Sequence, residues 1–153
     1  MKNKKHSITG LIPLINIMEA KGLDPVALLE NRGISLDTMG GNAVIAQEQE
    51  LEIVADAIDQ LNDPLLGLKV GSQITLASFG TLTMLIMTAP TFMAACRVGA
   101  EFQSLSILFT HVTIHYEKDW VELRHTLPVT SAKLKNFIAD RDLMGVYLLL
   151  AEA

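Results

Sequence analysis

Cysteine is almost missing from this chain: Cys96 is the single one in 153 residues. No internal disulfide can form, which fits a reducing compartment, so a cytoplasmic protein is expected. The residue sits in the apolar stretch Ala94-Ala95-Cys96, where a buried, inert thiol is expected rather than a reactive one. Arg97 follows directly, but neighbours in sequence do not share a helix face. Charge is also scarce, at 19% of residues against a usual quarter or so. Basic charge is scarcest: 12 Lys and Arg stand against 17 Asp and Glu, a net charge of −5. Nucleic-acid binding draws on Lys and Arg to neutralise phosphates, so the chain is a poor DNA binder by itself. The one basic run, Lys2 to Lys5, is expected to be a solvated tail.

Long uninterrupted hydrophobic runs are missing too. Residues 8–18 are apolar but too short to span a bilayer, and no small-residue cleavage site follows. Residues 70–96 carry no charge, yet Gly71, Gly80 and Pro90 break them and Ser72, Gln73 and Ser78 intervene. They read as two buried helices with loops, and no membrane partner is expected. Catalytic signatures are absent as well: there is no nucleophile elbow, Walker loop, dinucleotide fingerprint or HExxH. Gly40-Gly41 follows no convincing strand, which a phosphate cradle would require. The expectation is a protein that is not an enzyme and has no cofactor and no metal. No internal repeat or low-complexity linker occurs.

What is present is apolar bulk. Half of the residues are hydrophobic, which excludes intrinsic disorder. It also suggests apolar surface buried against a partner subunit, another domain or a ligand. Leu11, Leu14, Ile15 and Met18 make a helical stripe closed by Gly22, and Asp24-Pro25 opens a short helix that ends at Gly33. Ser35 is placed to cap a turn from Leu36 to Met39. Gln47 to Leu61 reads as a helix with Leu51, Val54, Ala55, Ile58 and Leu61 on its apolar side. Its acidic remainder is Glu48, Glu50, Glu52, Asp56 and Asp59.

Asp63-Pro64 opens a helix over Leu65 to Gly71, and Ser78 is placed to cap one through Met87. Thr91 caps the longest run, Phe92 to about Phe109. The period then changes to two. Val112, Ile114 and Tyr116, then Val121, Leu123 and Leu127, describe a β-hairpin with one apolar face. A last helix from Lys133 carries Leu134, Phe137, Ile138, Leu143, Val146, Leu149 and Leu150. The fold class expected is therefore α+β and predominantly helical: a helical N-terminal part, a long helix, a hairpin or small antiparallel sheet, and a C-terminal helix. One hairpin alone is marginal in water, and the chain stops within an apolar helix. Residues 1–153 are thus expected to form a single domain, truncated from something longer.

Few polar residues invite a functional reading. His111 and His115 are four apart, a metal-binding spacing on a helix, but they fall on the polar face of a strand, where solvent exposure is expected. His125 alternates with Val121, Leu123 and Leu127 onto the apolar face. There it is either a satisfied core or boundary histidine or a polar contact in a small-molecule pocket. Arg97, Glu101 and Ser104 share one helix face. Arg97–Glu101 is an ion pair in the simplest reading, and Arg97 reads a ligand carboxylate in the other. Met84, Met87, Met93, Phe79, Phe92 and Phe102 are ordinary core or an adaptable apolar cavity. Residues 47–61 are too acidic to serve as a DNA recognition helix.

In order and spacing the chain resembles the N-terminal, arabinose-binding-type domain of AraC-family transcriptional regulators. The matching stretches are Gly22-Leu23-Asp24-Pro25 to Asn31-Arg32-Gly33-Ile34; the acidic helix 47–61; Asn62-Asp63-Pro64-Leu65-Leu66-Gly67-Leu68-Lys69-Val70-Gly71; Phe79-Gly80-Thr81-Leu82; and Ala89-Pro90-Thr91-Phe92-Met93-Ala94-Ala95. The resemblance implies a small-molecule effector, a homodimer, and DNA contact only through a separate C-terminal helix-turn-helix module, which these residues do not contain. The effector would bias dimerisation or docking on that module. The residues favoured for its pocket are Arg97, Phe102, Arg124 and His125, on the helix 92–109 and the hairpin. Arg124 and His125 alternate onto opposite faces, so both line one pocket only if a bulge intervenes. A ligand-free dimerisation module is the alternative.

Overall fold

The computed structural model describes residues 4–35, 37, 40 and 42–152. Among them are seven α-helices and two small antiparallel sheets, a predominantly helical α+β fold. The turn expected from Ser35 through Met39 falls largely outside the described residues.

The chain opens with β1 (Lys5–Ser7), which pairs with β2 (Val44–Ala46) with His6 opposite Ile45. Of the basic run expected to be a solvated tail, Lys2 lies outside the described residues, Lys5 is in this pairing, and Lys4 Nζ donates to the Leu108 carbonyl at 2.6 Å. Between the two strands lie α1 (Ile12–Ala20) and α2 (Pro25–Glu30), and Asp24 caps α2 by accepting from the amides of Val26 and Ala27. Helix α3 (Gln47–Leu61) follows β2 directly. Its buried face is Gln47, Glu50, Ile53, Val54 and Ala57, turned from the face expected, so that Glu50 lies inside instead of on the acidic surface.

Next comes α4 (Leu66–Gly71), laid against the C-terminal helix α7 (Ala132–Glu152). A Cβ on Gly67 would come within 2.5 Å of the Phe137 carbonyl oxygen, and one on Gly71 within 2.7 Å of the Arg141 carbonyl oxygen. The Gly-Leu-Lys-Val-Gly segment is thus what lets two helix backbones approach this closely. Gly80 (φ 54°) turns the chain from a 3₁₀ turn at Leu76–Phe79 into α5 (Thr81–Met87), in a conformation that favours glycine.

Helix α6 (Phe92–Glu101) is capped by Thr91, as expected, but it is shorter than the run 92–109. Phe102 leaves helical geometry, a single 3₁₀ turn covers Gln103–Leu105, and Ser106 is extended. Gln103 ends the helix chemically. Its amide nitrogen donates to the Ala100 carbonyl at 2.7 Å, and its oxygen accepts the Val112 amide at 2.7 Å. Residues 106–110 then run through the interior, all of them buried. An apolar run such as Ile107-Leu108-Phe109 does not by itself distinguish a buried helix from a buried extended segment.

The hairpin is β3 (His111–Tyr116) and β4 (Val121–Thr126), in continuous register from His111–Thr126 to Tyr116–Val121. Two apolar clusters form the core. One holds Leu11, Leu14, Met18, Leu29, Ile53, Val54, Leu66 and Ile138, and the other Ile74, Phe79, Leu82, Ile86, Ala95, Ile107 and Leu108. Helix α7 spans both, through Phe137 and Ile138 in the first and Leu149 in the second. Its buried stripe keeps Phe137, Ile138 and Leu149 as expected but adds Arg141 and Asp142, while Leu143 is half-exposed.

Candidate ligand cavity

The second cluster is incompletely filled. Phe79, α5 (Leu82, Ile86), α6 (Ala95, Cys96, Gly99, Ala100), Gln103, Leu108, the hairpin (Val112, Ile114, Leu123) and the end of α7 (Val146, Leu149, Leu150) surround a cavity of about 50 Å³. The cause is local. The α6 wall is built from glycine, alanine and cysteine at helical spacing, so it presents almost no side-chain volume to its neighbours. The apolar face of the hairpin closes one side, and the helices around it supply the packing that a lone hairpin lacks.

The lining is apolar apart from two groups. Burial pushes the Cys96 thiol up, so it stays protonated, in keeping with an inert cysteine. Gln103 is occupied: its nitrogen also donates to the Val112 carbonyl at 2.9 Å, besides the two bonds already described.

Around the segment that carries the lining residue Leu108 is a buried polar network. His6 Nδ1 and Glu50 Oε2 are 2.5 Å apart. Arg141 donates to the Ile107 carbonyl at 3.2 Å and to Asp142 at 2.5 Å, with its guanidinium 4.7 Å from the centre of the Phe109 ring. Asp142 in turn accepts the Thr110 amide at 2.8 Å, and the Thr110 hydroxyl meets His125 Nδ1 at 2.9 Å. The segment 107–110 therefore gives Leu108 to the cavity lining and is anchored to β1, β4 and α7 through its other residues. Sequence reasoning passed over His6, Glu50, Arg141 and Asp142, because charged residues are rarely fully buried unless paired, and the pairing is tertiary.

Of the four residues favoured from the sequence, none lines the cavity. Arg97 is exposed and stands over the Tyr116 ring at 5.4 Å, with no ion pair to Glu101 among the described residues. Phe102 is exposed just beyond the end of α6. Arg124 is exposed and paired with Glu122 at 2.9 Å. His125 is half-buried on the face it shares with its cross-strand partner Val112, opposite to that of Arg124, and no bulge brings the two together. Its bond to Thr110 makes it a satisfied boundary histidine, and burial lowers its pKa. His111 and His115 are exposed on β3, as expected. Met84, Met87, Phe92 and Phe102 are exposed rather than core; Phe79 alone of the expected aromatic set is both buried and in the lining. The signal that points to the cavity in the sequence is the run of small residues Ala95, Cys96, Gly99 and Ala100, followed by Gln103.

The described residues thus form a helical α+β domain with a small apolar cavity between α5, α6, the hairpin and α7. The family model for the N-terminal arabinose-binding domain of AraC transcription regulators matches residues 22–153, and the chain belongs to that family. It is an effector-binding regulatory domain of a transcription factor, a family of regulators and not of enzymes. No curated protein matches the chain. Among the described residues no helix is long and apolar enough to cross a membrane.

Proposed function

We propose that this domain senses an effector in the cavity between α5, α6, the hairpin and α7, and passes its occupancy to a separate DNA-binding module in the cytoplasm. The observation that carries the reading is the shared wall. Leu108 and Val112 line the cavity, while residues 107–110 are tied to the start of the chain through Lys4, to α7 through Arg141 and Asp142, and to β4 through His125. Filling the cavity favours the arrangement of residues 106–110 that packs on it. An effector shifts such an equilibrium only as far as its affinities for the two arrangements differ. His125 acts here by holding Thr110, whereas Arg97, Phe102 and Arg124 serve at the outer surface, where a partner rather than the effector meets them.

The output is a change in homodimerisation or in docking on the DNA-binding module. Exposed apolar side chains support a contact of this kind: Met84, Met87 and Phe92 around α5–α6, and Leu143 and Tyr147 one turn apart on α7. The same residues also favour a second reading, a dimerisation module that needs no ligand. A thermal-shift screen with amino acids, sugars, fatty acids and small carboxylates separates the two. Saturable stabilisation by one class supports the sensor. No shift with any of them, together with a melting temperature that climbs with protein concentration, supports the ligand-free dimer.

A further inference from the structure

Resting on the sensor reading, the geometry points to an effector that inserts a short, uncharged aliphatic or cyclic hydrocarbon group into the cavity, and not to a sugar. Three observations carry this. The first is that the lining has no spare hydrogen-bonding capacity to speak of. Both amide hydrogens of Gln103 are given to the Ala100 and Val112 carbonyls, and its oxygen already accepts the Val112 amide, leaving one acceptor site. A pentose would bury several hydroxyls against leucine, isoleucine and valine, and each unpaired one costs roughly tenfold or more in affinity.

The second is charge. No ionisable side chain other than the Cys96 thiol is in the lining. Two buried or half-buried cations on the adjoining segment, Lys4 and Arg141, are bound to the carbonyls of Leu108 and Ile107. An amino acid or a carboxylate inserted here would meet no partner. The third is size. A water-sized group needs about 10–15 Å³ of such space, so a cavity of about 50 Å³ holds about four carbon-sized groups. Any polar end of the molecule stays outside.

Cys96 provides the test, because it lines the cavity and is the single cysteine. Its modification by a small neutral thiol reagent is followed with n-butanol, isobutanol or L-arabinose as probes. The expected result is saturable slowing by n-butanol and isobutanol, about tenfold at ten times Kd, with no slowing by arabinose. The two alcohols also raise the melting temperature, and Gly99→Leu abolishes that rise. A Cβ at Gly99 meets only Ile86, at 3.5 Å and beyond, so growth from this position is tolerated. Gly99→Ala fills less of the space and weakens the response without removing it.

Protection by arabinose and not by the two alcohols overturns the assignment of class while leaving the sensor reading intact. Failure of every probe to protect Cys96 also overturns it, since the cavity is then a packing void. The sensor reading itself falls only if the broad screen finds no stabilising ligand anywhere on the protein.

Discussion

His6 and Glu50 lie 44 positions apart in the sequence, yet Nδ1 of one is 2.5 Å from Oε2 of the other, and both residues are 1% exposed. The pair fastens β1 to α3. The ring of Phe109 stands edge-on to His6 at 5.2 Å, which brings the central segment into the same contact. Removing one partner leaves the other polar group buried and unsatisfied, so Glu50→Ala is expected to cost about 3–5 kcal/mol of unfolding free energy. The double variant His6→Phe with Glu50→Leu should recover most of that loss. Urea denaturation measures both. A Glu50→Ala cost under about 1 kcal/mol would show that the pair does not hold the strand.

Arg141 and Asp142 are adjacent on α7, where successive side chains ordinarily diverge, but both are buried and bonded to each other. Asp142 also accepts the Thr110 amide. Asp142→Ala is expected to destabilise by about 3–5 kcal/mol and to remove the hydrogen-exchange protection of Thr110. If that amide stays protected, the segment is held by packing alone.

Gly67 and Gly71 set the spacing of α4 and α7. Gly67→Ala places a Cβ 2.5 Å from the Phe137 carbonyl oxygen and 2.9 Å from Asp140 Cβ. A loss of about 1–3 kcal/mol or more follows from overpacking. Gly99→Ala is the control: its Cβ has room, and helix propensity favours it by up to about 1 kcal/mol. Melting curves of the two variants should move in opposite directions.

Burial lowers the pKa of His125 below its ordinary 6.5, partly opposed by the nearby Asp142. The folded state thus holds this imidazole neutral at pH values where the unfolded chain already binds the proton. Its contribution to stability is present above pH 6.5 and is lost as pH falls from there through the lowered folded value. Melting temperature followed from neutral pH downward should decline over that window. His125→Gln should decline less; an equal decline would assign the acid sensitivity to other groups.

Much of the local structure is written in the sequence. Asp24 and Thr91 cap helices because a short side-chain oxygen reaches the orphan amides of a first turn. The alternation from Val112 to Leu127 gives a hairpin whose apolar side is the one that faces the helices. These features depend on residues within a few positions of one another. The three-residue strand β1 is too short to carry a period, and its partner lies far along the chain. The shortening of α6 depends on Gln103 finding Val112, and the burial of Glu50, Arg141 and Asp142 on partners from other elements.

By itself, then, the sequence determined most of the helices, their order, the hairpin and the acidic, cysteine-poor composition. Those follow from backbone propensity, periodicity and composition, which act locally or in sum. Only the tertiary structure decided which charges are inside, how closely α4 approaches α7, and that small residues on α6 leave a cavity instead of a tighter contact. Each of these depends on what an opposing element presents at a distance of a few ångströms, and no single stretch of chain contains that information.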